Sequence, residues 1–296
     1  MFELGFSKQK LLYGWMTRQK VADYLMQCSR EDQERLGLVL SKWDAAYSRR
    51  LSLVKDEASA ADSVGIFDVD DEFKEELELL KQKPGFRNSF NNVSTEFKMV
   101  EIDKLVTHTV SVYLDSVEKF LAEYRQRPSP QQLIDICLPL TKNTSDCSRL
   151  RVDQFNYVYS SNDLDFRLID VIPKPVAELG LSEISEGLPV RALVMLFGFG
   201  FPMVKVVRVG KRLVLDNGFH RLYSLRSLGV KHVPAVVTND ASGVSKYLPL
   251  DYVANSPRPP LFKDFFDPEL TVEVSQQKKK RVVKISILPE VIDVPL

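Results

Sequence analysis

Asp216, Asn217, Gly218, His220 and Arg221 fall within six consecutive positions of Lys-Arg-Leu-Val-Leu-Asp-Asn-Gly-Phe-His-Arg-Leu-Tyr-Ser-Leu-Arg-Ser-Leu-Gly, residues 211–229. The residue types and their order suit the capture of an anion. Arg212 to Leu215 is short and apolar, as a strand would be. From Phe219 the spacing turns helical, with Leu222, Leu225 and Leu228 on one side and Gly229 where a left-handed C-terminal cap belongs. A loop between strand and helix leaves backbone N–H groups unpaired at the helix start, where the helix dipole also favours negative charge. His220 and Arg221, in the first turn, would add a hydrogen-bonding group and a planar cation. The plain structural reading of the same residues stands beside this one. Asp216 and Asn217 would then make the turn through their own backbone, His220 would pack the helix start, and Arg221 would pair with a carboxylate.

The elements that must hold this turn follow from periodicity. Residues 1–83 read as a helical region, with Thr17 and Ser29 as N-caps and a further helix from Val69 to Gln82. Residues 84–96 are rich in turn formers and read as a linker. Phe97 to Ile102 opens a sheet domain over 97–240, followed by a helix from Leu114 to Tyr124 and another capped by Ser129-Pro130. Cys137, between Ile136 and Leu138, reads as core. Phe155–Tyr159 and Phe166–Ile172 flank Ser160 to Asp163 as an expected hairpin, and a short helix is expected near Leu181 to Ile184. The runs on either side of Gly198 to Pro202 read as strands joined by a turn. Residues 241–296 form a C-terminal extension pinned by Phe262, Phe265 and Phe266. It closes in an expected hairpin around Gln276 to Lys280. The fold class is therefore α+β: a helical N-terminal region, then a mixed sheet with helices packed against it.

Composition narrows the function classes. The 296 residues carry 44% hydrophobic and 27% charged side chains, ordinary for a globular protein. Forty basic and forty acidic residues cancel, so no global field draws nucleic acid or anionic membrane. Cys28, Cys137 and Cys147 are too few and too scattered for a disulfide framework or a zinc cluster. Residues 1–14 lack the apolar core of a secretory signal, and the Val190–Val209 run is broken by charges, glycines and a proline. A cytoplasmic protein without a membrane span is the expectation. His108 and His232 read as incidental.

Two stretches carry a family likeness. Phe97-Lys-Met-Val-Glu-Ile-Asp-Lys-Leu105 resembles the opening strand of the ParB/sulfiredoxin-like superfamily. Residues 202–237, with Gly218-Phe219-His220-Arg221 and the downstream Leu228-Gly229-Val-Lys-His-Val233-Pro234, resemble its central block. The looser likeness spans 97 to 238, with an insertion around 140–185. The resemblance implies a nucleotide ligand such as ATP, CTP or ADP. It implies phosphates held by Asn217, Gly218, His220 and Arg221, and Mg²⁺ placed by an acid such as Asp216, which would also be the candidate catalytic group. Departures are specific. Phe219 stands where sulfiredoxin has its reactive cysteine and ParB its glutamate, and no helix-turn-helix module follows. The likeness thus implies a nucleotide-binding protein, with hydrolysis or phosphotransfer as its expected chemistry and the metal ligands unassigned.

Two other readings remain open. One is a non-enzymatic interaction module that binds a protein partner through the N-terminal helices, with a vestigial loop. The other is a nucleic-acid-binding or nuclease-like protein of ParB type, which the zero net charge does not favour.

Overall fold

The computed structural model describes residues 5–90, 93–139, 147–153, 155–162, 166–180, 189–199, 202–279 and 281–288, together with 290 and 292. In chain order the strands are β1 Phe6–Leu11, β2 Ile66–Asp68, β3 Thr95–Glu101, β4 Val106–Thr107, β5 Ser111–Tyr113, β6 Cys147–Arg151 and β7 Asn156–Ser161. They continue with β8 Arg167–Pro175, β9 Arg191–Gly198, β10 Lys205–Val209, β11 Arg212–Asn217, β12 His232–Thr238, β13 Val272–Gln277 and β14 Arg281–Ser286. The helices are α1 Arg18–Leu25, α2 Arg30–Glu34, α3 Leu36–Asp56, α4 Lys74–Gln82, α5 Pro84–Ser89, α6 Leu114–Glu123, α7 Pro130–Cys137, α8 Phe219–Ser227 and α9 Leu250–Asn255. The class is α+β. The chain divides into two compact units, Met1–Lys142 with Phe201–Lys278, and Asn143–Gly200 with Lys279–Leu296.

The first unit is built on a six-stranded mixed sheet in the order β2-β3-β12-β10-β11-β4. At its centre β10 lies antiparallel to β11 and parallel to β12. Gly210 makes the β10–β11 turn at φ 60°, a conformation in which a Cβ is strained. Both faces of the central strands are covered: Val206, Val214, Leu215, Val233, Ala235 and Val236 are all 0% exposed. Each of the valines and the leucine contributes roughly 1.5–3 kcal/mol by leaving water. α8 presses Leu222 and Leu225 into this core. Its outer flank is held by Tyr223, stacked on Phe266 at 4.6 Å, and by the Arg226 fork on Asp103 at 3.0 and 3.3 Å. The prolyl excursion is pinned as expected, with Phe262 and Phe265 fully buried. Beside them Arg258, 1% exposed, donates to both oxygens of Asp264 at 2.8 and 2.6 Å and to Glu57 at 2.9 Å.

The N-terminal helices start where their caps stand. Thr17 accepts from Lys20 N–H and Ser29 from Asp32 N–H, and Ser129 and Gln132 form a reciprocal capping box at α7. Residues 1–83 are not wholly helical, however. β1 is the middle strand of a three-stranded sheet, β13-β1-β5, antiparallel to both neighbours. The expected linker is corrected too. Pro84–Ser89 is helical, Phe86 is 4% exposed in the main core, and β2 pairs with β3 across it, so no domain boundary falls there.

The second unit holds a sheet in the order β14-β7-β6 and the pair β8-β9. The expected 155–172 hairpin is absent, because both edges of β7 are taken by β6 and β14. β9 pairs with β8, whereas β10 belongs to the sheet of the first unit, so the strands around Gly198 to Pro202 do not pair with each other. The expected C-terminal hairpin is also corrected: β13 pairs with β1 and β14 with β7. The helix expected near Leu181 to Ile184 lies outside the described residues. Among the described residues no helix is long and apolar enough to cross a membrane.

Candidate functional site

β11 and α8 are joined by Gly218 alone, at φ 108° and ψ 13°. This glycine is required twice over. Its φ is one that L side chains rarely adopt, and a Cβ here would lie 3.0 Å from Val204 Cγ2. Gly218 is the N-cap of α8 and supplies no side-chain cap; its carbonyl accepts the first intrahelical bond, from Leu222 N–H at 2.9 Å. The N–H groups of the first turn therefore have no partner within the helix.

The sequence-predicted residues divide into two sets around this turn. Asp216 and Asn217 face the β10 side. Asp216 Oδ2 lies 3.0 Å from Lys205 Nζ, and Asn217 Nδ2 donates to the Met203 carbonyl at 3.0 Å. Asp216 also crowds Gly243, where a Cβ would meet its Oδ1 at 2.9 Å. His220 and Arg221 point into the fold. The His220 ring packs against Tyr113 at 5.4 Å, and its Nε2 is buried with no hydrogen-bond partner. Burial alone pulls its pKa down to about 4, so the ring is neutral at pH 7. Arg221 extends toward the end of α7, where Nη1 reaches the Cys137 carbonyl at a long 3.5 Å. Burial depresses its pKa, and no carboxylate offsets that loss among the described residues. Its titratable neighbours are both held neutral at pH 7: burial pushes the Cys137 thiol up to about 12 and raises the Tyr124 hydroxyl.

His108, dismissed from sequence, belongs beside this turn. Its ring stacks on Tyr247 at 5.1 Å and meets Phe219 edge-on at 4.9 Å, and its Nε2 is buried without a partner. Burial lowers its pKa, opposed in part by the nearby Asp216. Sequence reasoning also missed Lys205, Tyr113 and Tyr247. Lys205 was legible in principle: in a hairpin closed by Gly210 it falls opposite Asn217. Nothing local signals Tyr113 or Tyr247.

The first turn of α8 brings together what an anion would need: N–H groups without a partner in the helix, a half-buried guanidinium and a neutral imidazole, on adjacent residues. It fits a dedicated metal site poorly. Asp216 is already paired with Lys205, and among the described residues no group of three potential ligands forms. Compared with known proteins, the chain matches no family model, no curated protein and no solved structure.

Proposed function

We propose that the Gly218 turn binds the phosphates of a nucleotide, in the manner of a divergent ParB/sulfiredoxin-like protein. The observation that carries this reading is Arg221, a half-buried guanidinium at a helix N-terminus whose hydrogen-bond contact among the described residues is the long 3.5 Å approach to the Cys137 carbonyl. A partly desolvated charge gains from a partner, and a phosphate seated on the first-turn N–H groups would supply one. His220 would complete the set, its neutral imidazole donating one hydrogen bond to a phosphate oxygen in the tautomer that carries the hydrogen on Nε2. Mg²⁺ would arrive with the phosphates rather than in a cage of protein ligands. The reading is of binding rather than turnover, because Asp216, the candidate base, is engaged by Lys205.

Calorimetry with ATP, CTP and ADP, each with and without Mg²⁺, tests the proposal. At least one should bind, and Arg221→Met should weaken it tenfold or more. Failure of a folded sample to bind any of the three refutes it.

A further inference from the structure

A cavity of about 370 Å³ opens at the other end of α8, where Gly229 (φ 80°) turns the chain into β12. Its floor is apolar. Phe73 follows from the short helix after β2, Met99 from β3, and Leu133 and Ile134 from α7. Phe73, Leu133 and Ile134 are 7%, 8% and 5% exposed, so the walls are core side chains rather than mobile surface. Its rim is polar and unequal in charge. Arg127 and Lys231 stand against one acid, Asp70, and all three are exposed, without an ion pair among the described residues. His232, at the first position of β12, also lines it and is fixed edge-on against Phe67 at 5.3 Å.

We infer that this cavity binds a small organic anion with an apolar body, an aryl- or alkyl-carboxylate. The volume is at the lower end of small-molecule sites, which combine apolar walls with a few orienting polar groups. A hydrocarbon body would fill the space over Phe73, Met99, Leu133 and Ile134. The carboxylate would sit at the rim, where Arg127 offers a forked donor and Lys231 a point charge. A neutral ligand would leave both cations without a partner. A cationic ligand would meet net repulsion. The site shares no residue with the Gly218 turn, so it stands or falls independently of nucleotide binding.

Titration of the full chain with 4-phenylbutyrate, octanoate and indole-3-acetate, monitored by calorimetry, tests the inference. At least one acid should bind, and 4-phenylbutan-1-ol and acetate should each bind tenfold or more weakly than the best acid. The double variant R127M/K231M changes two exposed side chains and should keep its melting temperature while losing tenfold or more in affinity for that acid. Arg221→Met should leave the same affinity unchanged. Absence of binding by all three acids overturns the inference. So does an alcohol that binds as tightly as the acids, or full affinity in the double variant.

Discussion

The two ends of α8 solve opposite electrostatic problems. At its start Arg221 and His220 are partly withdrawn from water before any ligand arrives, and no described carboxylate neutralises the guanidinium. At its far end Arg127 and Lys231 stay in water around an apolar cavity. The first arrangement stores an unmet demand for negative charge inside the fold. The second stores an unmet demand for apolar contact, with charge kept at the rim to orient what enters. The nine-residue helix that separates them is about 13 Å long, short enough for one packed face to fix both.

That shared dependence gives the largest effect. Leu222 is 0% exposed in the core beneath α8, so Leu222→Ala should cost about 2–5 kcal/mol in urea denaturation and weaken ligands at both ends. Loss at one end only would show that the ends are positioned separately.

The next effect isolates the helix start. His220 titrates near 4 in the folded protein and near 6.5 unfolded, so the unfolded chain binds the additional proton. Stability contributed by the neutral ring is complete above about pH 6.5 and lost as pH falls toward 4, by up to about 3 kcal/mol. His108, lowered in the same direction, adds to this slope. His220→Gln should flatten the stability profile across that window; an unchanged profile would mean that the ring is solvated.

The smallest effects contrast the two cations directly. Arg221→Met should be neutral or stabilising by up to about 1 kcal/mol, because it removes a half-buried charge that lacks a carboxylate partner among the described residues. Arg127→Met, in water, should fall within about 0.5 kcal/mol of wild type. A large destabilisation by Arg221→Met would make that side chain a structural strut instead.

How much of this was legible depended on whether the signal was local. The frame of the turn was readable because its punctuation lies in one stretch: Gly210 closing the hairpin, Leu222 and Leu225 at helical spacing, Gly229 ending the helix. The caps at Thr17, Ser29 and Ser129 were readable for the same reason. β1 was hidden because its inward positions include Ser7 and Gln9, so its alternation does not look hydrophobic. Their burial is balanced by Asp115, which accepts from Ser7 Oγ at 2.9 Å, and by Gln276, which accepts from Gln9 at 2.9 Å. The two expected hairpins failed because turn-forming residues permit a reversal but do not choose partners. β7 took β6 just upstream and β14 more than a hundred residues away, and β13 took β1 at the other end of the chain. His108 looked incidental because the neighbours that give it meaning, Phe219 and Tyr247, lie more than a hundred positions along the chain and touch it only in the fold.

The pairing of β1 with β13 also sets a clock on the ribosome. Lys10 lies opposite Glu273, so one edge of the first strand must wait while roughly 260 residues are made, about 13–50 s at ordinary elongation rates. Until then that edge presents unpaired N–H and C=O groups to any strand that passes. A nascent chain stalled before residue 272 lacks the strand that covers it. Synthesis is thus a race between elongation and mispairing, decided at the last strand of the first unit.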